Sequence, residues 1–296
     1  MLKPMKACDA DLDIIDWSKP KILQPKIDGV RGLYLESFSS RTLKPFGNTF
    51  VNNRFSSIRY RGLDGELTHG VKNHPDLCRL TTSALNQYEG QPNINWYVFD
   101  LIHKGTIDLP YKDRLILLNH RLNIINDNNI HLMETEWCNS LEEFLLFENI
   151  WLEYGYEGVI IRDPYGLYKS GRSTIREGGL LRVKRFKEEE AIILDFIPAE
   201  TNNNIIQTNK LGLSYRTSHK ENKVIKEMVG SFIAKDIKTK EIIKIGAGKL
   251  SHKERIDIYI NFDNYKNRIC KYKQFMHGKL HKPRFPIFIC FRDNMI

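Results

Sequence analysis

The segment Pro25-Lys26-Ile27-Asp28-Gly29-Val30-Arg31-Gly32 places a lysine two residues before an Asp-Gly turn and an arginine two residues after it. Residues 20–24 are partly apolar, which is typical of a short strand that enters a tight turn. Lys26 and Asp28 share one face of an extended chain, Gly29 permits a sharp turn, and Arg31 adds a planar cation suited to phosphate. The pattern predicts a lysine nucleophile acting on a phosphoryl group. The alternative is an ordinary solvated turn, because Asp-Gly is a common turn dipeptide.

The composition is that of a globular chain with enough apolar residues for real cores. Its 296 residues correspond to one large or two ordinary domains, with 41% hydrophobic and 27% charged side chains. No apolar run approaches the roughly 20 residues that cross a bilayer, and the first six residues do not begin a signal peptide. The five cysteines are scattered and form no Cys-x-x-Cys pair. We therefore expect no membrane association, no zinc ribbon and no disulfide framework, and a location in a reducing cytoplasm.

The positive charge is concentrated in the last third of the chain. Residues 1–188 carry 25 basic and 24 acidic side chains, whereas residues 189–296 carry 20 and 12. The net charge of +9 is therefore divided into +1 and +8. A basic module beside a nearly neutral one indicates a nucleic-acid-binding part attached to a catalytic body, or simply a well-solvated surface.

Helical and strand patterns alternate up to residue 188 and then give way to short strands. Helices are predicted over 110–125, after Pro110, and from a capping Ser140 to about Tyr154, with a helix or loop over 77–90. Strands are predicted over 95–102, 156–163 and 180–187. After Glu188-Glu189-Glu190, strands over 191–197, 230–236, 241–245 and 285–291 and a short helix over 251–259 fit a small barrel, with a loop over 201–210.

Five spaced motifs now follow one another along the chain. They are Lys26-Ile27-Asp28-Gly29-Val30-Arg31, Asp64-Gly65-Glu66, Tyr97-Val98-Phe99-Asp100, Glu157-Gly158-Val159-Ile160-Ile161-Arg162 and Leu181-Arg182-Val183-Lys184. In this order and spacing they resemble the signature motifs of the covalent nucleotidyltransferases, which are ATP-dependent DNA ligases, RNA ligases and mRNA capping enzymes. Lys282-Pro283-Arg284-Phe285-Pro286 resembles the last motif of the family, so the resemblance covers almost the whole chain.

Within this superfamily the sequence looks most like the compact ATP-dependent DNA ligases of bacteriophages and other viruses. The chain length and the segment Ser40-Arg41-Thr42 are similar to theirs. Arg31 ends the first motif, where one large group of RNA ligases carries another residue, and the fourth motif begins Glu-Gly, where capping enzymes more often show Asp-Gly. NAD-dependent ligases are disfavoured because a cysteine zinc module and an extra N-terminal domain are not seen.

The resemblance implies an α+β fold in two domains. Residues 1–188 would form a nucleotidyltransferase (adenylation) domain with antiparallel sheets and flanking helices. Residues 189–296 would form a small all-β OB-fold domain that binds DNA. The resemblance also implies that the two domains close and reopen during the reaction, and residues 186–190 are then the expected hinge.

A role is implied for each matched residue. The implied catalytic residues are Lys26, Asp28, Arg31 and Lys184; the implied nucleotide-binding residues are Gln24, Lys26, Arg31, Arg41, Glu66, Phe99, Arg182, Lys184 and Arg284; the implied metal ligands are Glu157 and Glu66. Lys26 would carry AMP, Phe99 would stack on adenine and Arg284 would orient the leaving pyrophosphate. Arg31 and Arg41 would hold the nick phosphate or the ribose. Glu157 is the better metal candidate, and Glu66 holds either the metal or the ribose.

The implied activity is sealing of nicks in duplex DNA through a lysyl-AMP intermediate and an adenylated 5′-phosphate. ATP and Mg²⁺, for which Mn²⁺ could substitute, are the implied cofactors. Nicked duplex DNA is the implied partner of a monomeric enzyme in the cytoplasm of the host cell. One alternative is an RNA ligase or a capping guanylyltransferase. A more distant alternative is a non-catalytic OB-type protein that binds single-stranded DNA through the basic region alone.

Overall fold

The computed structural model describes residues 2–275 and 283–292. Lys282, the first residue of the last motif, lies outside the described residues. The chain forms two compact units, Met1–Lys184 and Arg185–Ile296, so the division falls four residues before the predicted domain boundary. The described residues include no helix that is both long enough and apolar enough to span a membrane.

The first unit contains two five-stranded sheets and four α-helices. Its strands are β1 (Cys8–Asp9), β2 (Lys21–Pro25), β3 (Val30–Tyr34), β4 (Phe38–Ser40), β5 (Leu63–His69), β6 (Ile94–Leu101), β7 (Ile130–Leu132), β8 (Glu136–Cys138), β9 (Gly158–Arg162) and β10 (Leu180–Lys184). Its helices are α1 (Thr49–Arg54), α2 (Leu77–Asn86), α3 (Tyr111–Ile125) and α4 (Leu141–Glu153), with a 3₁₀ turn at Ile58–Tyr60.

The two sheets meet where the chain passes from β2 into β3, at the Lys26 segment. One sheet has the strand order β1-β10-β9-β2-β8 and the other β4-β3-β5-β6-β7. Pairing is antiparallel except between β1 and β10 and between β6 and β7. Each sheet has its own apolar core: the second is centred on Trp96, whose ring meets those of Phe38 and Phe55 edge-on at 5.1 and 5.4 Å. The α+β class predicted for this part is confirmed, but its sheets, which were expected to be antiparallel, each contain one parallel pair.

Local signals explain the two long helices, and both predictions are confirmed. Pro110 precedes the first residue of α3, and the helix ends at Asn126, whose backbone is left-handed with φ of 44°. At the start of α4, the Ser140 hydroxyl accepts a hydrogen bond from the Glu143 backbone N–H, which caps the helix as the sequence predicted.

The residues of the second unit that the structure describes form a closed barrel with one α-helix. Its strands are β11 (Phe186–Asn202), β12 (Ile206–Thr208), β13 (Ser214–Arg216), β14 (Lys223–Asp236), β15 (Ile242–Gly246), β16 (Ile269–Phe275) and β17 (Arg284–Phe291); its helix is α5 (His252–Ile260), followed by a 3₁₀ turn at Phe262–Asn264. The barrel order is β11-β14-β15-β17-β16, and β12 pairs with β13 in a separate hairpin. A capping box formed by Ser251 and Glu254 starts α5.

One segment of this unit differs from the sequence predictions, and the expected hinge has a regular structure. Residues 186–190 are strand in β11 and pair with β16, and their role as a hinge stays a prediction. Their glutamates are compensated by basic neighbours, since Glu188 pairs with Lys271 and Glu190 with Arg292. Residues 201–210, expected to be a loop, instead contain the end of β11 and all of β12. The asparagine content of residues 201–210 hid the strands there, because this segment does not alternate apolar with polar residues.

Candidate active site

The Lys26 segment is positioned by main-chain hydrogen bonds to β9. The Lys26 N–H donates to the Gly158 carbonyl at 2.8 Å, and the Glu157 N–H donates to the Lys26 carbonyl at 3.0 Å. The ladder between β2 and β9 therefore continues past the end of β2 and sets Lys26 beside Glu157. A Cβ on Gly158 would lie 2.1 Å from the Val183 carbonyl oxygen, so glycine is required for β10 to approach this closely. That approach brings Lys184, which is opposite Gly158, to the same place.

The Glu157 carboxylate lies between the ammonium groups of Lys26 and Lys184. Lys26 Nζ donates to Glu157 Oε2, and Lys184 Nζ donates to Oε1. Burial by itself raises the pKa of Glu157, but the charges of Lys26 and Lys184 outweigh burial and bring the pKa to about 2. Burial and the charge of Lys26 lower the pKa of Lys184. The arrangement holds one fixed anion between two cations at the wall of a cavity.

That cavity collects most of the site residues that the sequence predicted. Its volume is about 540 Å³. The predicted residues that line it are Gln24, Lys26, Asp28, Arg31, Arg41, Glu66, Phe99, Arg182 and Lys184. Glu157 pairs with Lys26 and Lys184, which line the cavity, but is not itself a lining residue. Arg284 lies on β17 of the second unit. A lysine, a flat aromatic ring and several cations thus face one space large enough for a nucleotide.

The position of Phe99 depends on a β-bulge. Asp64 pairs with Asp100 and Gly65 with Val98, so Phe99 is the extra residue of β6. A bulge redirects a side chain away from strict alternation. Arg31 and Arg162 place their guanidinium carbons 5.4 and 5.2 Å from the centre of the Phe99 ring.

The family model described as the ATP dependent DNA ligase domain matches residues 4–184, which is the whole of the first unit apart from its first three residues. The chain belongs to this family. The predicted resemblance to compact viral ATP-dependent DNA ligases is confirmed by this match and by the viral relatives described next.

Relatives among known proteins include viral DNA ligases. The DNA ligase of African swine fever virus (strain Badajoz 1971 Vero-adapted) is 26% identical over 135 residues, which are 45% of this chain and 31% of that protein. A DNA ligase of the same virus from an isolate from Kenya is 28% identical over 138 residues. The match spans about a third of the length of these relatives.

Solved structures resemble the chain over nearly its full length. The crystal structure of Chlorella virus DNA ligase-adenylate is 26% identical, with 98% of this chain and 99% of that chain covered and a TM-score of 0.53. A structure of a Lig E DNA ligase is 19% identical, with 98% of this chain and 99% of that chain covered and a TM-score of 0.74. Because the identity is low, this similarity shows the fold alone.

In this ligase-family site, Arg31 is held more firmly than the sequence suggested. Its Nε and Nη2 donate to the two carboxylate oxygens of Asp64 at 2.8 and 2.5 Å, and its Nη1 donates to the Met5 carbonyl. Asp64 is fully buried. Burial raises the pKa of Asp64, and the positive charge of Arg31 opposes this shift without cancelling it. Arg31 was expected to be a cation presented to phosphate or ribose. Three of its five N–H groups hold the wall of the cavity, Arg31 also lines that cavity, and its role toward phosphate or ribose stays a prediction.

Glu66 lies opposite Arg31 in the pairing of β3 with β5. Burial raises its pKa to about 7, although Lys26 and Arg31 oppose the shift, and the nearby carboxylates of Glu157 and Asp28 reinforce it. Glu66 is therefore the carboxyl group of the ligase cavity whose charge changes near neutral pH.

The donor set fits a magnesium ion that is shared with substrate. Within residues 2–275 and 283–292, no group of three or more His, Cys, Asp or Glu side chains could hold a metal by itself. Magnesium is usually held by one or two carboxylates together with substrate phosphates and water. Glu157, which is fully ionised at neutral pH, and Glu66 supply such a partial set.

Sequence reasoning assigned no site role to three cations that line the cavity: Arg162, which ends the fourth motif, and Lys6 and Arg172, which lie in no motif. Lys6 and Arg172 are joined by a parallel bridge in which the Lys6 N–H donates to the Gly171 carbonyl at 2.7 Å. Burial, followed by the charges of Arg41 and Arg172, lowers the pKa of Lys6. The two residues are 166 positions apart, so no local pattern linked them. Arg182 lines the same cavity and pairs with Asp9 at 2.6 Å, a partner that was also not predicted.

Proposed function

We propose that the chain is an ATP-dependent DNA ligase that joins nicks in duplex DNA through a covalent lysyl-AMP intermediate. The observation that carries the proposal is Lys26, which donates to the carboxylate of Glu157, as Lys184 also does, and lines a cavity that also contains Phe99 and Gln24. A nucleotidyl-transfer site needs a lysine, a surface for the base and cations for the phosphates, and all three converge there. Membership of the ATP dependent DNA ligase domain family supports the same reading.

The first step places Lys26 as the nucleophile. Lys26 first loses a proton to solvent, and its neutral Nζ then forms a bond to the α-phosphorus of ATP while the bond from that phosphorus to pyrophosphate breaks. The nitrogen loses a second proton to solvent as the neutral phosphoramide forms, and pyrophosphate leaves. Lys184 and Arg182 line the same cavity and would neutralise the charge that develops on the phosphate oxygens. Phe99 would stack on the adenine ring.

The later steps pass AMP from Lys26 to the 5′-phosphate at the nick, after which the 3′-hydroxyl displaces AMP. Arg41, Lys6 and Arg172 form a cationic group on the cavity wall that suits a nick phosphate. Asp28 lies in the same wall and would orient Lys26. The role of Arg284 in orienting pyrophosphate stays a prediction from the resemblance.

Glu157 and Glu66 would hold Mg²⁺, or Mn²⁺ in its place. Once Lys26 is a phosphoramide it no longer carries a full positive charge, so Glu157 Oε2 loses a cationic partner and becomes free to bind another cation. The ion supplies charge neutralisation to the phosphates. The raised pKa of Glu66 would make its share of the site sensitive to pH near neutrality.

The second unit would be an OB-fold that grips DNA. Its five barrel strands follow the order first, second, third, fifth, fourth, with α5 between the third and fourth, as in OB-folds. The charge of +8 over residues 189–296 supports a role in binding phosphate backbones. We infer further that the enzyme acts as a monomer in the host cytoplasm; the viral relatives support this location.

Sealing assays on three substrates test this function. A duplex with one nick, the same duplex with RNA strands, and capped-RNA precursors would be incubated with ATP or GTP and Mg²⁺. The proposal predicts sealed DNA with ATP. Preferential joining of RNA, or transfer of GMP to RNA ends, would replace it with the RNA ligase or capping enzyme alternatives. DNA binding without joining would favour the non-catalytic alternative.

A further inference from the structure

Gln24 offers the cavity a hydrogen-bond acceptor whose direction is set by two other side chains. Its side chain is almost fully buried on β2, and its Nε2 donates to the Tyr111 hydroxyl at 2.9 Å and to the Thr135 hydroxyl at 3.3 Å. Both amide hydrogens are therefore engaged. Which atom of the Gln24 amide is available to a ligand depends on whether the amide could rotate by 180°.

The hydrogen of each hydroxyl is already used elsewhere. Tyr111 donates to the Phe99 carbonyl at 2.8 Å, and Thr135 donates to the Met133 carbonyl at 2.8 Å. A hydroxyl has one hydrogen, so each group can only accept from Gln24. Burial raises the pKa of Tyr111 to about 12, which keeps the phenol protonated and able to donate. An amide turned by 180° would face two acceptors with its own oxygen, which is unfavourable.

The Phe99 carbonyl needs the Tyr111 hydroxyl for a structural reason. Phe99 is the bulged residue of β6, and a bulged residue leaves the regular ladder of main-chain hydrogen bonds. Arg162 also packs over the Tyr111 ring, with its guanidinium carbon 4.2 Å from the ring centre. The same bulge that directs Phe99 to the cavity thus fixes the direction of the Tyr111 hydroxyl.

The free oxygen of Gln24 is consequently left for the cavity. Across residues 2–275 and 283–292, Gln24 Oε1 receives no side-chain or main-chain donor and is not among the enclosed polar atoms that lack a partner. Gln24 itself lines the cavity together with Phe99 and Met133. An acceptor beside the aromatic ring would meet the edge of a stacked base.

We propose that Tyr111 and Thr135 are positioning residues that set the base preference of the site by fixing Gln24 Oε1 as an acceptor. This inference rests on the proposed function, because it assigns the nucleotide base to the Phe99 side of the cavity. Adenine presents an amino group at its six position, whereas guanine presents a carbonyl oxygen there. An acceptor binds the amino group and is repelled by the carbonyl, so the pocket favours ATP over GTP.

The test measures base preference separately from chemistry. Dissociation constants for labelled ATP and GTP would be obtained without divalent metal for the full chain, for Tyr111→Phe, for Thr135→Val and for the double variant. Thr135→Ser is the matched control, because it keeps the hydroxyl. Rates of covalent labelling with each nucleotide would then be measured with Mg²⁺, and thermal unfolding would report whether each variant folds.

We expect the preference for ATP over GTP to fall at least about tenfold in the double variant and to stay unchanged in Thr135→Ser. Equal weakening of ATP and GTP binding in the double variant would overturn the inference, because it would reduce Tyr111 and Thr135 to structural roles. The two proposals can fail separately. A wild-type chain that prefers ATP in the binding assay but forms no adduct would contradict the proposed function and leave base selection supported.

Discussion

Glu157 is the residue on which the geometry of the cavity depends, since its carboxylate is what keeps Lys26 and Lys184 close together. Its side chain is 3% exposed, against 19% and 22% for the two lysines. A buried anion of this kind is retained because both of its oxygens are satisfied. Removing its charge would leave two ammonium groups facing each other across a neutral side chain.

We therefore expect Glu157→Gln to slow formation of the Lys26 adduct by about 100-fold. Its free energy of unfolding should also fall, by about 3 kcal/mol, because two partly buried charges lose their partner. Rates of labelling with α-labelled ATP and urea unfolding would measure the two effects. Glu153→Gln is the matched control, since Glu153 is exposed at the end of α4. An unchanged labelling rate in Glu157→Gln would show that the ion pair does not position the nucleophile.

Glu66 should make stability depend on pH in a defined window. Its pKa in the folded chain, about 7, is higher than the ordinary value of about 4.3. The folded state therefore binds the proton more tightly than the unfolded state, and Glu66 lowers stability as pH rises from about 4.3 to 7. The wild type should lose stability over this range relative to Glu66→Gln, and the difference should level off above pH 7. Urea unfolding of both proteins across the range checks this; a constant difference would contradict the raised pKa.

At the scale of the elements, the close contact of β9 with β10 joins the fold to the site. A Cβ on Gly158 would lie 2.1 Å from the Val183 carbonyl oxygen, so alanine there must push the strands apart. Gly158→Ala should cost at least about 2 kcal/mol of stability and separate Lys184 from Glu157, with a matching loss of adduct. Gly246→Ala is the control, because its nearest neighbour would be 3.7 Å away. Equal stability of the two variants would contradict the predicted clash.

The elements also show what the sequence could and could not predict. Helices α3, α4 and α5 were predictable because Pro110, Ser140 and Ser251 mark their starts. The strand that leads into Lys26 and the strand that carries Lys184 were predictable from alternation and turn residues. The β12–β13 hairpin was missed because its residues are exposed and form no apolar face. β16 was also missed, although its buried residues alternate along the strand.

For the site, the sequence predicts residues that belong to short motifs but not the distant residues that they contact. Most cavity residues could be found because they belong to short motifs with a known order. Their partners could not, because the pairing of Arg31 with Asp64 and of Lys6 with Arg172 depends on how distant strands meet. The bulge at Phe99 arises from the pairing of β5 with β6 and leaves no trace in the sequence of β6 itself.

For the whole molecule, the uneven charge predicts how the chain meets DNA. A basic second unit binds phosphate backbones by releasing counterions, which makes affinity fall as salt rises. Lys26→Ala should keep this binding, and its affinity for nicked duplex should fall at least about 100-fold between 50 and 200 mM salt. Fluorescence anisotropy with labelled duplex measures both proteins. Loss of all DNA binding in Lys26→Ala, or binding that ignores salt, would show that the basic unit is not the main contact.

The proposed activity requires a covalent bond between AMP and Lys26 of the first unit. Incubation with α-labelled ATP and Mg²⁺, denaturing electrophoresis and peptide mapping would locate the label, with Lys19→Ala as a control because Lys19 is a highly exposed lysine outside the cavity. We predict a label that survives denaturation, maps to Lys26, disappears in Lys26→Ala and persists in Lys19→Ala. A label that persists in Lys26→Ala, or one that maps to another residue, would contradict the assignment of Lys26 as the nucleophile.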